Sequence, residues 1–257
     1  MEQLIVVAGI GLVGGTLSGF LGIGGGIITA PLLLYLPSFV GQPPLSMHHV
    51  SGLTITQSLF AGLLGAVAHG RARTVDRKLA GIMSAAIFVA SLTGAAGSKY
   101  FSHEFLLGVF AALALVAALL LFWPGREDGP RDYVAGAFWV PGAAAIAAGV
   151  GFLGGLVGQG GSFLLIPTVV TCLRVPLRVA MGSNLVIVFF GSVAGFVGKA
   201  ATGQVPPALA LALLAGVAPG AWIGSRLSRR APVRALRLTL GALIVLACVR
   251  MVWDLAG

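Results

Sequence analysis

Charge is what this sequence lacks. Asp, Glu, Lys and Arg together make up 9% of its 257 residues, against about a quarter in a soluble domain, too few to cover a water-facing surface. The deficit is also organised. Residues 3–70 contain none of the four, and neither do 133–173, 179–198, 200–225 and 238–249. A membrane-spanning helix needs roughly 20 consecutive apolar residues, so the longer windows hold one span or more. A soluble enzyme, a secreted disulfide scaffold and a disordered tail are excluded. What remains is an all-α polytopic membrane protein.

Acidic residues are scarcer than basic ones, 7 against 16, for a net charge of +9. In a soluble protein that balance suggests nucleic acid. Here the basic residues sit in short loops between apolar segments, where they meet anionic lipid and set orientation, so lipid is the expected partner and nucleic acid is not. Cysteine is equally sparse. Cys172 and Cys248 both fall in apolar segments and read as small buried hydrophobes, with no disulfide or metal pair between them. The start, Met1-Glu2-Gln3-Leu4, lacks the positive region of a cleaved signal peptide, so the first apolar segment is expected to be retained.

Turn and charge punctuation divides the chain into eight hydrophobic segments, at about 4–36, 46–69, 79–98, 105–123, 134–172, 179–201, 206–226 and 236–253. They lack strand alternation, and backbone groups in lipid must be bonded internally, so they are predicted helices. Segments 4–36 and 134–172 are too long for one span, and glycines interrupt each near its middle. The two are copies of one another. Gly-Phe-Leu-Gly-Ile-Gly-Gly-Gly-Ile-Ile-Thr-Ala-Pro at 19–31 matches Gly-Leu-Val-Gly-Gln-Gly-Gly-Ser-Phe-Leu-Leu-Ile-Pro at 155–167, at a constant offset. Further on, Ser51-Gly52-Leu53 answers Ser183-Asn184-Leu185, and Ala96-Gly97-Ser98-Lys99 answers Ile223-Gly224-Ser225-Arg226. The chain therefore reads as a first repeat over 1–124, a hydrophilic cytoplasmic linker at 125–132 and a second repeat over 133–257.

Charge decides how the repeats are related. If every segment crossed, the basic loops 71–78 and 226–237 would face opposite sides. If the broken segments are re-entrant, each half crosses three times and the halves are inverted. Loops 71–78, 126–131, 174–178 and 226–237 then place thirteen of the sixteen basic residues on one face, leaving Lys99, Lys199 and Arg250 on the other. That is the positive-inside bias. The reading is two inverted four-segment repeats, each opening with a glycine-broken re-entrant segment, with both termini periplasmic.

Unwound backbone at membrane depth is tolerated where protein buries it or where it lines a cavity. Paired broken helices of inverted repeats hold substrate near the midplane of secondary transporters. Half-helices beginning near Ile27 and Phe163 would aim free N–H groups and positive dipole ends at one point, an anion site built from backbone. The candidates are Gly24, Gly25 and Gly26 in the first cluster, with Gln159, Gly160, Gly161 and Ser162 in the second. Pro31 and Pro167, early in the half-helices, are expected to forfeit little helix bonding. Ser51 and Thr54, with Thr56, Gln57 and Ser58 beside them, and Ser183 and Asn184 from the other half, are expected to complete the site. The competing reading for any one glycine, including Gly11, Gly15, Gly19, Gly151 and Gly155, is close helix packing; for a single serine or threonine it is a bond to its own helix. A dinucleotide-binding turn fails, since no strand precedes residues 22–26 and no acidic residue follows.

These motifs resemble the sulfite exporter TauE/SafE family. The resemblance rests on the two glycine clusters with their following prolines, the Ala68-His69 end of the second segment, and Gly-Ser-Arg-Leu-Ser-Arg-Arg at 224–230. It spans nearly the whole chain. It implies a permease of the bacterial inner membrane, a probable exporter of sulfite, organosulfonates or related small sulfur-containing anions, working without a cofactor or metal and leaving homo-oligomerisation open. Where the family pattern has a Gly-His pair late in the sixth segment, this chain reads Gly198-Lys199, so Lys199 replaces a histidine with a cation that attracts anions. Two other functions compete. A passive anion channel shares the same chemistry. An intramembrane hydrolase would use Ser18 or Ser183 with His48, His49 or His69, but the sequence has no His-Glu-x-x-His pattern and no carboxylate pair.

The charge asymmetry makes a direct topological prediction. Single cysteines near Asp128 and Ser228, with Cys172 and Cys248 replaced, should both react with impermeant thiol reagents from the cytoplasmic side alone. Reaction from opposite faces would instead require a parallel repeat.

Overall fold

The computed structural model describes residues 1–21, 26–69, 75–122, 134–136 and 138–228. Glycines 22–25, the linker 125–132 and the predicted last segment 236–253 lie outside the described residues, as does Cys248. The described residues form helices joined by short turns, with no strand among them: α1 (Glu2–Leu21), α2 (Gly26–Phe39), α3 (Met47–His69), α4 (Arg77–Gly97), α5 (His103–Phe122), α6 (Val140–Val157), α7 (Ser162–Cys172), α8 (Leu177–Ala201) and α9 (Pro207–Ser228). Five stretches are long and apolar enough to cross a bilayer: Glu2–Phe20, Arg77–Tyr100, Val140–Val157, Val179–Ala201 and Pro207–Leu227. The chain is a multi-pass membrane protein, and its outward side chains suit lipid: Leu211 is 70% exposed and Val89 63%.

Each overlong segment resolves into a membrane-length helix followed by a short one. α1 and α6 have 20 and 18 residues, whereas α2 and α7 have 14 and 11. Pro31 and Pro167 each stand sixth in their short helix. That position lies beyond the first turn, where N–H groups are unbonded anyway. Each proline therefore forfeits an intrahelical bond and leaves a carbonyl four residues earlier without its donor. The expected small loss is larger than the sequence implied. Cys172 also differs from expectation. It closes the short α7 and is exposed, because the helix ends before its last turn is covered.

Packing is organised by small residues. α1 and α9 run parallel. Gly11, Gly15 and Gly19 lie against the backbone of Leu213, Val217 and Ala221, while Gly216, Gly220 and Gly224 lie against Ala8, Leu12 and Thr16. α6 packs on α4 in the same parallel manner, with Gly151 against Ile87 and Gly155 against Ser91. For these glycines the packing reading holds: no β-carbon fits between such closely apposed backbones. α8 also runs parallel to α4, with the Ser91 hydroxyl donating to Gly191 O at 2.8 Å. It runs antiparallel to α3, since Gly62 meets Phe189 while Ser51, near the start of α3, meets Lys199 at the end of α8. Two apolar cores result. One gathers Val7, Leu33, Leu53, Phe110 and Leu213 from α1, α2, α3, α5 and α9. The other gathers Met83, Ala147, Leu165 and Ile187 from α4, α6, α7 and α8.

The start of α4 is pinned by Asp76. Its carboxylate accepts from Lys78 N and Leu79 N, each at 3.0 Å, and from Gly136 N at 2.7 Å. Its own N–H donates to Ser183 Oγ at 3.1 Å, joining the start of α4 to that of α8.

Two glycine substitutions separate the forces at work. A β-carbon at Gly216 would enter the backbone of Ala8, whereas one at Gly81 meets nothing within 4 Å. Gly216→Ala should destabilise by about 1–3 kcal/mol, and Gly81→Ala should stabilise by roughly 0.5–1 kcal/mol, read as opposite shifts of the thermal midpoint in detergent.

Candidate functional site at the paired helix breaks

The break between α6 and α7 is built from glycines in a conformation other residues resist. Gly158 closes α6 with φ 76°, Gly160 has φ 59°, and Gly161 precedes α7 with φ 80°. Such positive φ costs an L-residue with a β-carbon roughly 1 kcal/mol or more. The turn is tightened from behind, since Gln159 N donates to Gly154 O at 2.7 Å. In front, the N-cap residue Gly161 has no side chain with which to cap α7, and the first N–H groups of a helix have no partner within it.

The two clusters meet. Gly26, the first residue of α2, lies against the side-chain amide of Gln159, so closely that a β-carbon at Gly26 would overlap it. The start of α2 and the turn leading into α7 thus share one small volume. Gly24 and Gly25 lie outside the described residues, as does the side chain of Ser162.

Around this junction stand buried polar atoms that none of the described groups satisfies. Ser192 Oγ of α8 sits against Gly160. Ile55 of α3 touches the same glycine. Within a turn of it, both polar atoms of the Gln57 amide and the Ser58 hydroxyl are buried without a partner, as is Thr29 Oγ1 in the first turn of α2. An unsatisfied buried polar group costs about 1–3 kcal/mol, so a concentration of them beside the start of α7 suits a polar ligand. Thr29 stands within the 19–31 cluster without being a candidate there, and Ser192 was not singled out by the sequence, since its position carries no motif and only the fold brings it to the break.

The other candidates are bonded within the protein or stand apart from the break. Thr54 donates to Val50 O at 3.0 Å and Thr56 to Gly52 O at 2.8 Å, both inside α3. Ser183 is occupied by Asp76, as described above, while Asn184 beside it keeps a buried Oδ1 without a partner. Ser51 has its backbone against Gly158 of the break, while its hydroxyl donates to His48 O at 2.8 Å and accepts from Lys199 Nζ at 2.8 Å. Sixteen residues of α8 separate Ser183 from Lys199, about 24 Å at 1.5 Å per residue. The two serines therefore mark opposite ends of the bundle.

Lys199 corrects its sequence reading. It is fully buried instead of standing with the sparse cations of one face. Its ammonium donates to Ser98 Oγ at 2.6 Å, Ser51 Oγ at 2.8 Å, Leu156 O at 2.9 Å and Gln204 Oε1 at 3.0 Å. Leu156 is in the last turn of α6, so the cation caps that helix where its dipole is negative.

Long and short apolar helices packed on glycine are the architecture on which the comparisons with known proteins bear. The profile of the family described as sulfite exporter TauE/SafE matches residues 7–251. The chain belongs to the sulfite exporter TauE/SafE family. Among curated relatives, the probable membrane transporter protein YunE of Bacillus subtilis is 27% identical, with 98% of each chain covered. A probable membrane transporter protein of Xylella fastidiosa is 26% identical over 98% of this chain and 96% of its own. YjnA of Bacillus subtilis, another probable membrane transporter protein, is 25% identical over 94% and 97%. No solved structure matches. Family and relatives make this TauE/SafE member a membrane transporter.

The contact between the clusters can be tested without a transport assay. Gly26→Ala sets its β-carbon on the far end of the flexible Gln159 side chain, so it should lower the thermal midpoint of the TauE/SafE chain by less than Gly216→Ala, which meets backbone. Adding Gln159→Ala to that variant should abolish the fall, because the overlapping amide is gone. A fall that Gln159→Ala leaves in place would mean that the two residues do not touch.

Proposed function

We propose that this chain carries small sulfur-containing anions, such as sulfite or organosulfonates, out across the bacterial inner membrane. The anion binds near the midplane, between the starts of α2 and α7. The observation that carries this reading is the meeting of Gly26 with Gln159 beside the glycine start of α7, the unsatisfied buried hydroxyls of Ser192, Ser58 and Thr29, and the Gln57 amide. Backbone N–H groups at two helix starts supply partial positive charge without a fixed cation, which suits an anion that must be released again. The membrane is the inner one, both termini are periplasmic, and residues 1–124 and 133–257 are inverted repeats.

The helix directions support the inverted arrangement. α4 and α8 follow the basic loops 71–78 and 174–178 and run parallel, so both loops belong at one end of the bundle. Eight full crossings would make this pair antiparallel. The partnering is reciprocal as well. The first helix of each repeat, α1 or α6, packs on the third-segment helix of the other, α9 or α4, as a two-fold axis in the membrane plane would require.

Uptake of radiolabelled sulfite and of a labelled organosulfonate into proteoliposomes tests the function. Wild type should take up at least one of them. Gly161→Val should fall to background while still inserting, since the larger side chain combines added bulk with an unfavourable φ. Normal uptake by that variant would place the site elsewhere. None of the seven acidic residues lies within a segment interior, where carboxylates of proton-driven carriers act. An inside-negative potential alone should therefore speed anion efflux at equal pH, each charge gaining about 2.3 kcal/mol per 100 mV. Strict dependence on a pH gradient would refute charge-carrying transport.

A further inference from the structure

Lys199 holds a cation where a membrane protein accommodates one least easily. The side chain is fully buried, and its four partners are two hydroxyls, a helix-end carbonyl and a side-chain amide oxygen. None of these is a carboxylate. Dipoles solvate an ammonium but do not neutralise it, and a buried charge without a counter-ion is costly. The surplus positive potential attracts whatever anion can reach it.

The hydroxyl protons show how the cluster is set. Ser51 gives its proton to His48 O at 2.8 Å, and Ser98 can give its own to Ala95 O at 2.6 Å. Both then turn lone pairs toward Nζ. Gln204 is oriented likewise: its Nε2 donates to Thr202 Oγ1 at 2.7 Å, leaving Oε1 for the lysine. A hydroxyl is not committed to accepting, however. By rotating, Ser51 and Ser98 become donors, and together with the ammonium they match the oxygens of a small oxyanion. The cluster also ties the end of α8 to α3, to the turn after α4 and to α6, at a residue two before Gly158, where the break begins.

We infer that Lys199, Ser51 and Ser98 form a second anion site at the C-terminal end of α8. While that end is shut, the protein's own oxygens occupy the site; when it opens, a small oxyanion does. The inference rests on the anion-transport reading above and adds to it a latch that the cargo itself releases. As the anion takes the ammonium, the bond to Leu156 is given up and the end of α6 is freed beside the break. The site requires charge, so it takes an oxyanion and passes over an uncharged sulfone.

Two variants of the full-length chain test this by different routes. Lys199→Gln keeps a hydrogen-bonding side chain of similar reach and removes the charge. Ser98→Asp keeps the lysine and gives it a permanent internal counter-ion. In proteoliposomes both should raise the KM for sulfite by about tenfold or more, the scale of one charge-assisted contact. In detergent, sulfite should raise the thermal midpoint of the wild type, dimethyl sulfone should not, and both variants should lose the sulfite response. Ser98→Asp should also melt higher than wild type without sulfite, because its latch no longer opens to an anion. A purely structural tie predicts that the stabilised Ser98→Asp protein transports with an unchanged KM, and that result overturns the inference while wild-type uptake leaves the transport reading standing. If Lys199→Gln fails to fold, Ser98→Asp decides alone. If wild type neither takes up nor responds to sulfite or an organosulfonate, the transport reading fails and the second site with it.

Discussion

Every peptide group placed in hydrocarbon must find its hydrogen bond within the protein, and the described fold is arranged around a place where helices give that rule up. At 158–161 the chain leaves helical geometry, and the neighbours close in to shield it. The backbone of Ser51 lies on Gly158, Ser192 and Ile55 lie on Gly160, and Ile87 and Val150 lie on Gly161. These residues come from α3, α8, α4 and α6. The requirement for shielding therefore explains why four helices converge there, and why glycine lines their contacts: a bulkier seam would hold the backbones apart and admit lipid.

The shielding leaves the enclosed polar atoms poorly served. Hydroxyls and amides that would bond water at a surface are buried around the break with nothing described beside them to bond. A packed core has no use for such groups, and a transported ligand does. The Lys199 cluster is the contrast: there every polar group is bonded, and what is missing is negative charge. The two places thus ask for different things, hydrogen-bonding atoms at the break and a counter-ion at the end of α8.

The duplicated glycine clusters were legible from the sequence because a repeat at constant offset shows without any knowledge of contacts. The same duplication put the breaks at the correct residues in the second half. The roles of Gly11, Gly15 and Gly19 were not decidable in advance, since a packing glycine and a turning glycine have the same letter; only the apposed backbone of α9 distinguishes them. Lys199 was misread for a related reason. One cation three residues from the end of a predicted segment reads as a face charge, and its burial depends on Ser51, Ser98 and Gln204 arriving from distant parts of the chain. Ser51 and Ser183 occupy matching places in the sequence repeats, yet the fold sets them near opposite ends of α8, so likeness in sequence became separation in space.

The marriage of α1 to α9 has a consequence for how the molecule is made. Of the described helices α1 leaves the ribosome first, and the helix that covers its glycine face begins at Pro207. At about 5–20 residues per second, that partner follows some tens of seconds later. During the wait, α1 must stand in the bilayer with three carbonyl-lined notches open to lipid, or lean on a helix that α9 will later displace. The same holds, over a shorter wait, for the pairing of α4 with α6. Neither half can finish its own core before the other is synthesised, so assembly is held open until nearly the whole chain is in the membrane, and a ribosome that stops early leaves behind an adhesive surface.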